Sequence, residues 1–332
     1  MSAVVATPDV SFVIAAYNAE ETLGRAIDSA LGQNDVTVEV VVVDDCSTDG
    51  TAKIAAAYDD PRVRLIKQLS NGGPGRARNA GIIAAEGRWV SVLDSDDSVR
   101  PDRARRMIER ARTTNAQIAV DNLDVVPMNG GPVQRMFAEG ELAARPELTL
   151  ADYIDSNVIF RDTFNFGYMK PIFERSYLLE HDLWFDETLR IGEDYILLVS
   201  SLASGAKCAI EPSAGYIYHI REGSISRVLE RRHLDSMLAS DKVFLSRFPL
   251  NGEAMAAQNR RTRSLVDARS FITLVEEIKS RSLVRAFLTA IRNPRAVRHL
   301  RMPIAVRMRQ FAESVRRQSN RIGQTPPERT KS

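Results

Sequence analysis

Residues 91–101 read SVLDSDDSVRP, a short apolar run that breaks into three carboxylates, Asp94, Asp96 and Asp97. A strand ending this way puts hard oxygen ligands at the carboxyl edge of a sheet, where open α/β folds bind their ligands. Like charges so close repel one another, and a divalent cation carrying a substrate's phosphates relieves the repulsion. The plainer reading is a solvated turn, with Asp96 or Asp97 capping a helix that starts near Pro101. The surrounding sequence decides between the two.

Upstream, the same design recurs. VSFVIAAYN (10–18) is an apolar strand that stops at Tyr17 and Asn18, and Leu23, Ala26, Ile27, Ala30 and Leu31 then repeat at helical spacing. VEVVVVDDCSTDGT (38–51) is nearly continuous β-branched sequence, as a parallel strand covered on both faces requires, and it ends in Asp44 and Asp45. A third strand, VRLIKQL (63–69), leads into NGGPGRARNAG (71–81), a tight glycine loop whose helix carries Arg76, Arg78 and Asn79 toward any anion at its start. Strand and helix alternating at short intervals predict an α/β fold with a three-layer α/β/α sandwich. The dinucleotide and P-loop fingerprints are both absent from 71–81.

Downstream, DRARRMIERARTTN (102–115) predicts a helix with solvated arginines, and QIAVDNLDVVPMNGG (117–131) a further strand and turn, with Asp121 and Asp124 as acceptor-side candidates. Periodicity weakens between 132 and 170, as in a variable lobe over a site. RIGEDY (190–195) places Glu193 and Asp194 where an apolar helix begins. There they either favour the helix N-terminus or supply a general base for a hydroxyl. AGYIYHI (214–220) predicts a strand carrying His219, a candidate cation ligand, and the following REGSIS offers Arg221 and Ser224 to a phosphate.

At 332 residues with 44% hydrophobic content, the chain is long enough for one substantial core and an appendage. Cys46 and Cys208 are the two cysteines and form no framework, which fits a reducing compartment. The net charge of +2 conceals a division: residues 281–332 hold 13 basic and 2 acidic residues, and the rest 32 and 41. An acidic body with a basic, helix-patterned tail suggests attachment to an anionic membrane surface, and nucleic acid is not an expected partner. With no secretory pattern or apolar spanning run, the expected location is cytoplasmic, peripheral on the inner face of the cell membrane. The predicted domains are a catalytic body over 1–226, a helical and increasingly basic extension over 227–318, and a disordered tail over 319–332.

Together AAYNAEETL, VVVDDCSTDGT, NGGPGRARNAG, VLDSDD and RIGEDY, in this order, resemble the family 2 inverting glycosyltransferases over about residues 10–226. The chain looks most similar to enzymes of bacterial exopolysaccharide assembly, the succinoglycan type included. The resemblance implies the A-type glycosyltransferase fold and transfer of one sugar at a time from a nucleotide-diphospho-sugar, UDP-linked, to a lipid-linked or saccharide acceptor. It implies Tyr17, Asn18, Asp44, Asp45, Arg78, Asn79, Asp94, Ser95 and Asp96 around the donor. It also implies Asp96 and Asp97 on a Mn2+ or Mg2+ ion, to which the residues themselves add His219 as a candidate ligand. Asp194, seconded by Glu193, is then the base. Ala16 stands where many relatives carry proline, and the Q-x-x-R-W signature of processive synthases is absent. The alternatives are a non-catalytic nucleotide-sugar-binding or scaffold subunit, and a nucleotidylyltransferase, whose glycine-rich first loop is missing here.

Overall fold

A computed structural model of the chain describes residues 7–128, 130–161, 165–220 and 229–299. Its first half alternates as the sequence predicts: β1 (Val10–Ala16), α1 (Leu23–Leu31), β2 (Val38–Asp44), α2 (Thr51–Ala56), β3 (Val63–Lys67), α3 (Pro74–Ala84) and β4 (Trp89–Val92). Strands β3, β2, β1 and β4 lie side by side and parallel. Continuous β-branched sequence in β2 is what two covered faces demand: Val40 and Val42 pack with the apolar stripe of α1, and Val41 and Val43 with Ala77 of α3.

The second half departs from a purely parallel sheet. It adds β5 (Ser98–Val99), α4 (Arg103–Thr114), β6 (Ile118–Pro127), β7 (Gln134–Arg135), α5 (Glu139–Ala143), α6 (Leu150–Ser156), β8 (Ile172–Glu174), α7 (Arg175–Glu180), α8 (Glu193–Ala203) and β9 (Cys208–Ile220). The sheet order is β3-β2-β1-β4-β8-β6-β9-β5, with β7 on β6. β8 is antiparallel to both β4 and β6, β9 is parallel to β6, and β5 is antiparallel to β9. The sheet is therefore mixed. The pairing of β5 with β9 matters for function, because it folds the acidic turn back onto residues 216–219.

Two expectations from the sequence are corrected here. Arg103 on α4 is fully buried rather than solvated, and it meets Asp121 of β6 through Nε to Oδ2 at 2.9 Å and Nη2 to Oδ1 at 3.0 Å. Asp124 is equally committed, to Arg100 at 2.6 Å and Arg135 at 2.7 Å. Neither carboxylate is presented to an acceptor, because buried charges on a central strand persist only when paired.

Helices α9 (Arg231–Arg247), α10 (Gly252–Lys279), α11 (Leu283–Arg292) and α12 (Pro294–Arg298) complete the described chain. Compact packing divides the described chain after Leu265, so the first unit extends beyond residue 226. The cause is a buried charge: Arg261 pairs with Asp241 at 3.0 Å, donates to the Asn157 carbonyl at 3.0 Å and lies 3.5 Å over the Tyr195 ring. Within the second unit Asn293 donates to Asp267 at 2.9 Å, tying the end of α11 to α10. Among the described residues no helix is long and apolar enough to cross a membrane. The expected tail over 319–332 lies outside the described residues.

Candidate active site

The parallel strands β1, β2 and β4 deliver their polar ends to one edge of the sheet. Asp45, just past β2, accepts from the Gly72 and Gly73 amides, each at 2.8 Å. Gly73 has φ +90, a conformation glycine alone adopts without strain, so the glycine loop is shaped around this carboxylate. Asp44 accepts from the Ser47 amide at 3.2 Å, and Asn18 from the Thr48 amide at 2.9 Å. Tyr17 is exposed beside them. Asn79 spends its amide on the 185–187 segment, accepting from the Phe185 amide at 2.9 Å and donating to the Phe185 carbonyl and Glu187, each at 3.0 Å.

Arg78, one turn into α3, is the hub. Its Nη2 donates to Asp94 at 2.7 Å, and its Nη1 to Glu193 at 2.6 Å and to Asp194 at 2.9 Å. Its buried Nε–H has no partner among the described residues. Glu193 and Asp194 open α8 after Gly192, whose φ of +91 turns the chain sharply enough to aim both acids at α3. Lys170 then closes the cluster, with Nζ 2.9 Å from Asp94 and 2.7 Å from Asp194. The two acidic centres of the sequence, a hundred residues apart, thus meet on the same two cations.

The charges respond to this arrangement. Burial works to raise the Asp94 carboxyl, but Lys170 and Arg78 outweigh it and hold the group well below the usual carboxylate range. Burial lifts Glu193 above its ordinary value against the pull of Arg78. Lys170 and Arg78, despite burial, are raised by Asp194 and Asp94 and stay charged.

The rest of the acidic turn is divided. Asp97 is fully buried: it accepts from the Tyr216 hydroxyl at 2.8 Å and from the His219 amide at 2.8 Å, and burial with the Asp94 and Asp96 charges pushes it well up. The Tyr216 oxygen also accepts from the Asp94 amide at 3.1 Å, so these contacts clamp the turn in shape. Ser95 and Asp96 are half-buried, and Arg25 donates to the Asp96 carbonyl. His219 Nε2 lies 3.1 Å from Ser98 Oγ, and burial together with the Arg25 charge lowers the ring to about 4, leaving it neutral near pH 7. Among the described residues no three His, Cys, Asp or Glu side chains form a ready ligand set. Asp96 and His219 thus stand on the two strand-linked sides of the turn, Asp96 half-buried on the turn itself and the neutral imidazole against Ser98. Arg221 and Ser224 lie outside the described residues.

Lys170 is the site residue that the sequence reading missed. It falls at the end of the stretch without periodicity, and its one local signal is being the single lysine between Lys67 and Lys207.

Residues 11–176 match the model of glycosyl transferase family 2. The chain is 64% identical to the succinoglycan biosynthesis protein ExoO of Rhizobium meliloti (strain 1021), across 92% of this chain and 87% of that one. It is 32% identical to succinoglycan biosynthesis protein ExoU of the same strain, across 88% of this chain and 85% of that one. Among solved structures, S. aureus TarS 1–349 in complex with UDP-GlcNAc superposes with a TM-score of 0.60 at 22% identity, covering 79% of this chain and 72% of that one. That likeness bears on the fold, which is the A-type glycosyltransferase fold with a helical C-terminal region.

Proposed function

The chain belongs to glycosyl transferase family 2 and is a glycosyltransferase, and from that premise we propose that it moves a single sugar from a UDP-sugar to a hydroxyl of a lipid-linked or saccharide acceptor in succinoglycan-type exopolysaccharide assembly. The observation that carries this reading is the meeting of Asp94 and Asp194 on Arg78 and Lys170. One acidic centre belongs to the donor side and the other to the acceptor side, and transfer requires both at a single anomeric carbon.

Tyr17 offers its exposed ring to the base, and the loop braced by Asp45 borders the same edge. Arg78, held by its carboxylates, stands beside Asp94 on the donor side of the site. Asp96 and His219 are the residues that would hold Mn2+ or Mg2+, which when bound neutralises charge growing on the departing diphosphate. Asp194 takes the acceptor hydroxyl's proton as that oxygen attacks from the face opposite the diphosphate, and the configuration inverts in one displacement. Glu193, buried against Arg78, fixes the guanidinium and through it the base.

The support for a membrane location is α11. Leu283, Val284, Phe287, Leu288 and Ile291 are exposed on it, and residues 281–299 contain five arginines and no acidic residue. An apolar face rimmed by cations suits the inner, anionic leaflet, where a lipid-linked acceptor would lie.

Asp194→Asn tests the central assignment. The variant should keep UDP affinity within a few fold and lose at least ~10²-fold in turnover, the scale of a positioned base. Near-normal turnover removes Asp194 from the role.

A further inference from the structure

In the free enzyme both oxygens of the proposed base are taken. Asp194 Oδ1 accepts from Arg78 at 2.9 Å and Oδ2 from Lys170 at 2.7 Å, while Asp94 receives the same two cations at 2.7 and 2.9 Å. The four side chains form a closed ring of alternating charge. A base must bring an oxygen within about 3 Å of the hydroxyl it deprotonates, and although each carboxylate oxygen has a further lone pair, opening one side of this ring leaves that oxygen more basic and less crowded for the hydroxyl.

The two cations are not held alike. Arg78 has a third carboxylate, Glu193, at 2.6 Å, and its guanidinium lies 5.3 Å over the Phe185 ring. The Lys170 ammonium has Asp94 and Asp194 and, among the described residues, nothing else. Its backbone, by contrast, is anchored: the Lys170 carbonyl accepts at 2.6 Å from Arg103, which is itself buried, paired with Asp121 and bonded to Ser91 at 3.0 Å. A fixed backbone with a compact charge on a flexible stem can swing where a forked guanidinium cannot.

We infer that Lys170 is a positioning residue for the transfer step, one that holds Asp194 aimed in the free site and retreats toward Asp94 to hand Oδ2 to the acceptor hydroxyl. The inference rests on the reading of Asp194 as base. In the step itself the hydroxyl proton passes to Asp194 Oδ2 as the new O–C1 bond forms. The C1–O bond to the diphosphate breaks, its electron pair leaves with the nucleotide, and Lys170 stays protonated throughout. This role also assigns Asp121 and Arg103 a task, since they fix the point from which the lysine swings.

The test uses the full chain and whichever of UDP-glucose, UDP-galactose or UDP-N-acetylglucosamine supports fastest UDP release by wild type with a membrane lipid extract. Lys170→Met, Lys170→Gln, Lys170→Arg and Asp194→Asn are compared by kcat/KM against pH and by UDP affinity. Among the described residues, the charged or titratable groups that act on Asp194 are Lys170, Arg78, Glu193 and Tyr153, with Asp94 sharing the same two cations. Removing a cation this near disfavours the carboxylate, so the acid limb should move up by about 1 pH unit in Lys170→Met, at the low end of the range for a lost opposite charge. kcat should fall about tenfold, short of the ~10²-fold expected for losing the base itself, with UDP affinity little changed. Lys170→Arg should return the limb toward wild type, and Lys170→Gln, a milder neutral change, carries the same prediction if the methionine variant does not fold. An unmoved limb beside an inactive Asp194→Asn overturns the inference and leaves the base in place. An active Asp194→Asn, or no UDP release from any donor, overturns both.

Discussion

Replacing Arg78 with methionine should cost stability in a way that depends on pH. The guanidinium is buried and bridges Asp94, Glu193 and Asp194 at 2.7, 2.6 and 2.9 Å. Removing one partner of a buried ion pair costs about 3–5 kcal/mol. Here Asp94 and Asp194 keep Lys170, and their side chains are 24% and 25% exposed, which favours the lower figure of about 3 kcal/mol near neutral pH. In the wild type Asp94 is held below the ordinary carboxylate range, so its contribution is present above the unfolded pKa and is lost only as pH falls through the folded one. In the variant the sign reverses. Three acids would face one cation, burial and mutual repulsion would raise their folded pKa values above the unfolded ones, and protonation would relieve the strain. Urea denaturation at about pH 8 and about pH 5 should therefore show the penalty shrinking by at least ~1 kcal/mol at the lower pH, the equivalent of roughly one pKa unit. A penalty under about 1 kcal/mol, or one equal at both pH values, would refute the hub.

Other consequences are separable. Asp121→Asn leaves Arg103 buried beside a neutral partner and should lower stability by about 3 kcal/mol at neutral pH in urea titration. Acceptor KM should hold within about threefold, and a larger KM change at wild-type stability would restore Asp121 to the acceptor side. Phe287→Asp with Ile291→Asp should cut sedimentation with phosphatidylserine vesicles at least ~10-fold, as expected when apolar contact is lost and negative charge gained; equal sedimentation would free α11 of that role. Mn2+ titrated calorimetrically should bind weakly to the protein alone and at least ~10-fold more tightly with UDP present, because the protein offers only a partial ligand set. Tight binding without nucleotide would contradict the division of ligands.

The half of the fold that could be read from sequence is the half whose information is local. β1 and β2 are seven residues long, buried throughout or nearly so, and each stops at a polar pair. β5 and β8 are two and three residues long, too short to show a period, and their antiparallel pairing depends on segments far away in the chain. The same distinction runs through the site. Asp94 and Asp194 were legible because each sits in an acidic cluster at an element boundary. Lys170 lies in a stretch without pattern, and its role arises from partners 76 and 24 residues away. Arg103 looked like one more arginine on a basic helix. Helical spacing does not distinguish a solvated arginine from one buried on Asp121.

The linkage made from an α-configured UDP-sugar tests the central claim most directly. If Asp194 activates the hydroxyl on the face opposite the diphosphate, the one-bond C1–H1 coupling in the NMR spectrum of the purified product will be that of a β-glycoside. An α-glycoside would mean that the displacement is not the single inverting one proposed for these carboxylates.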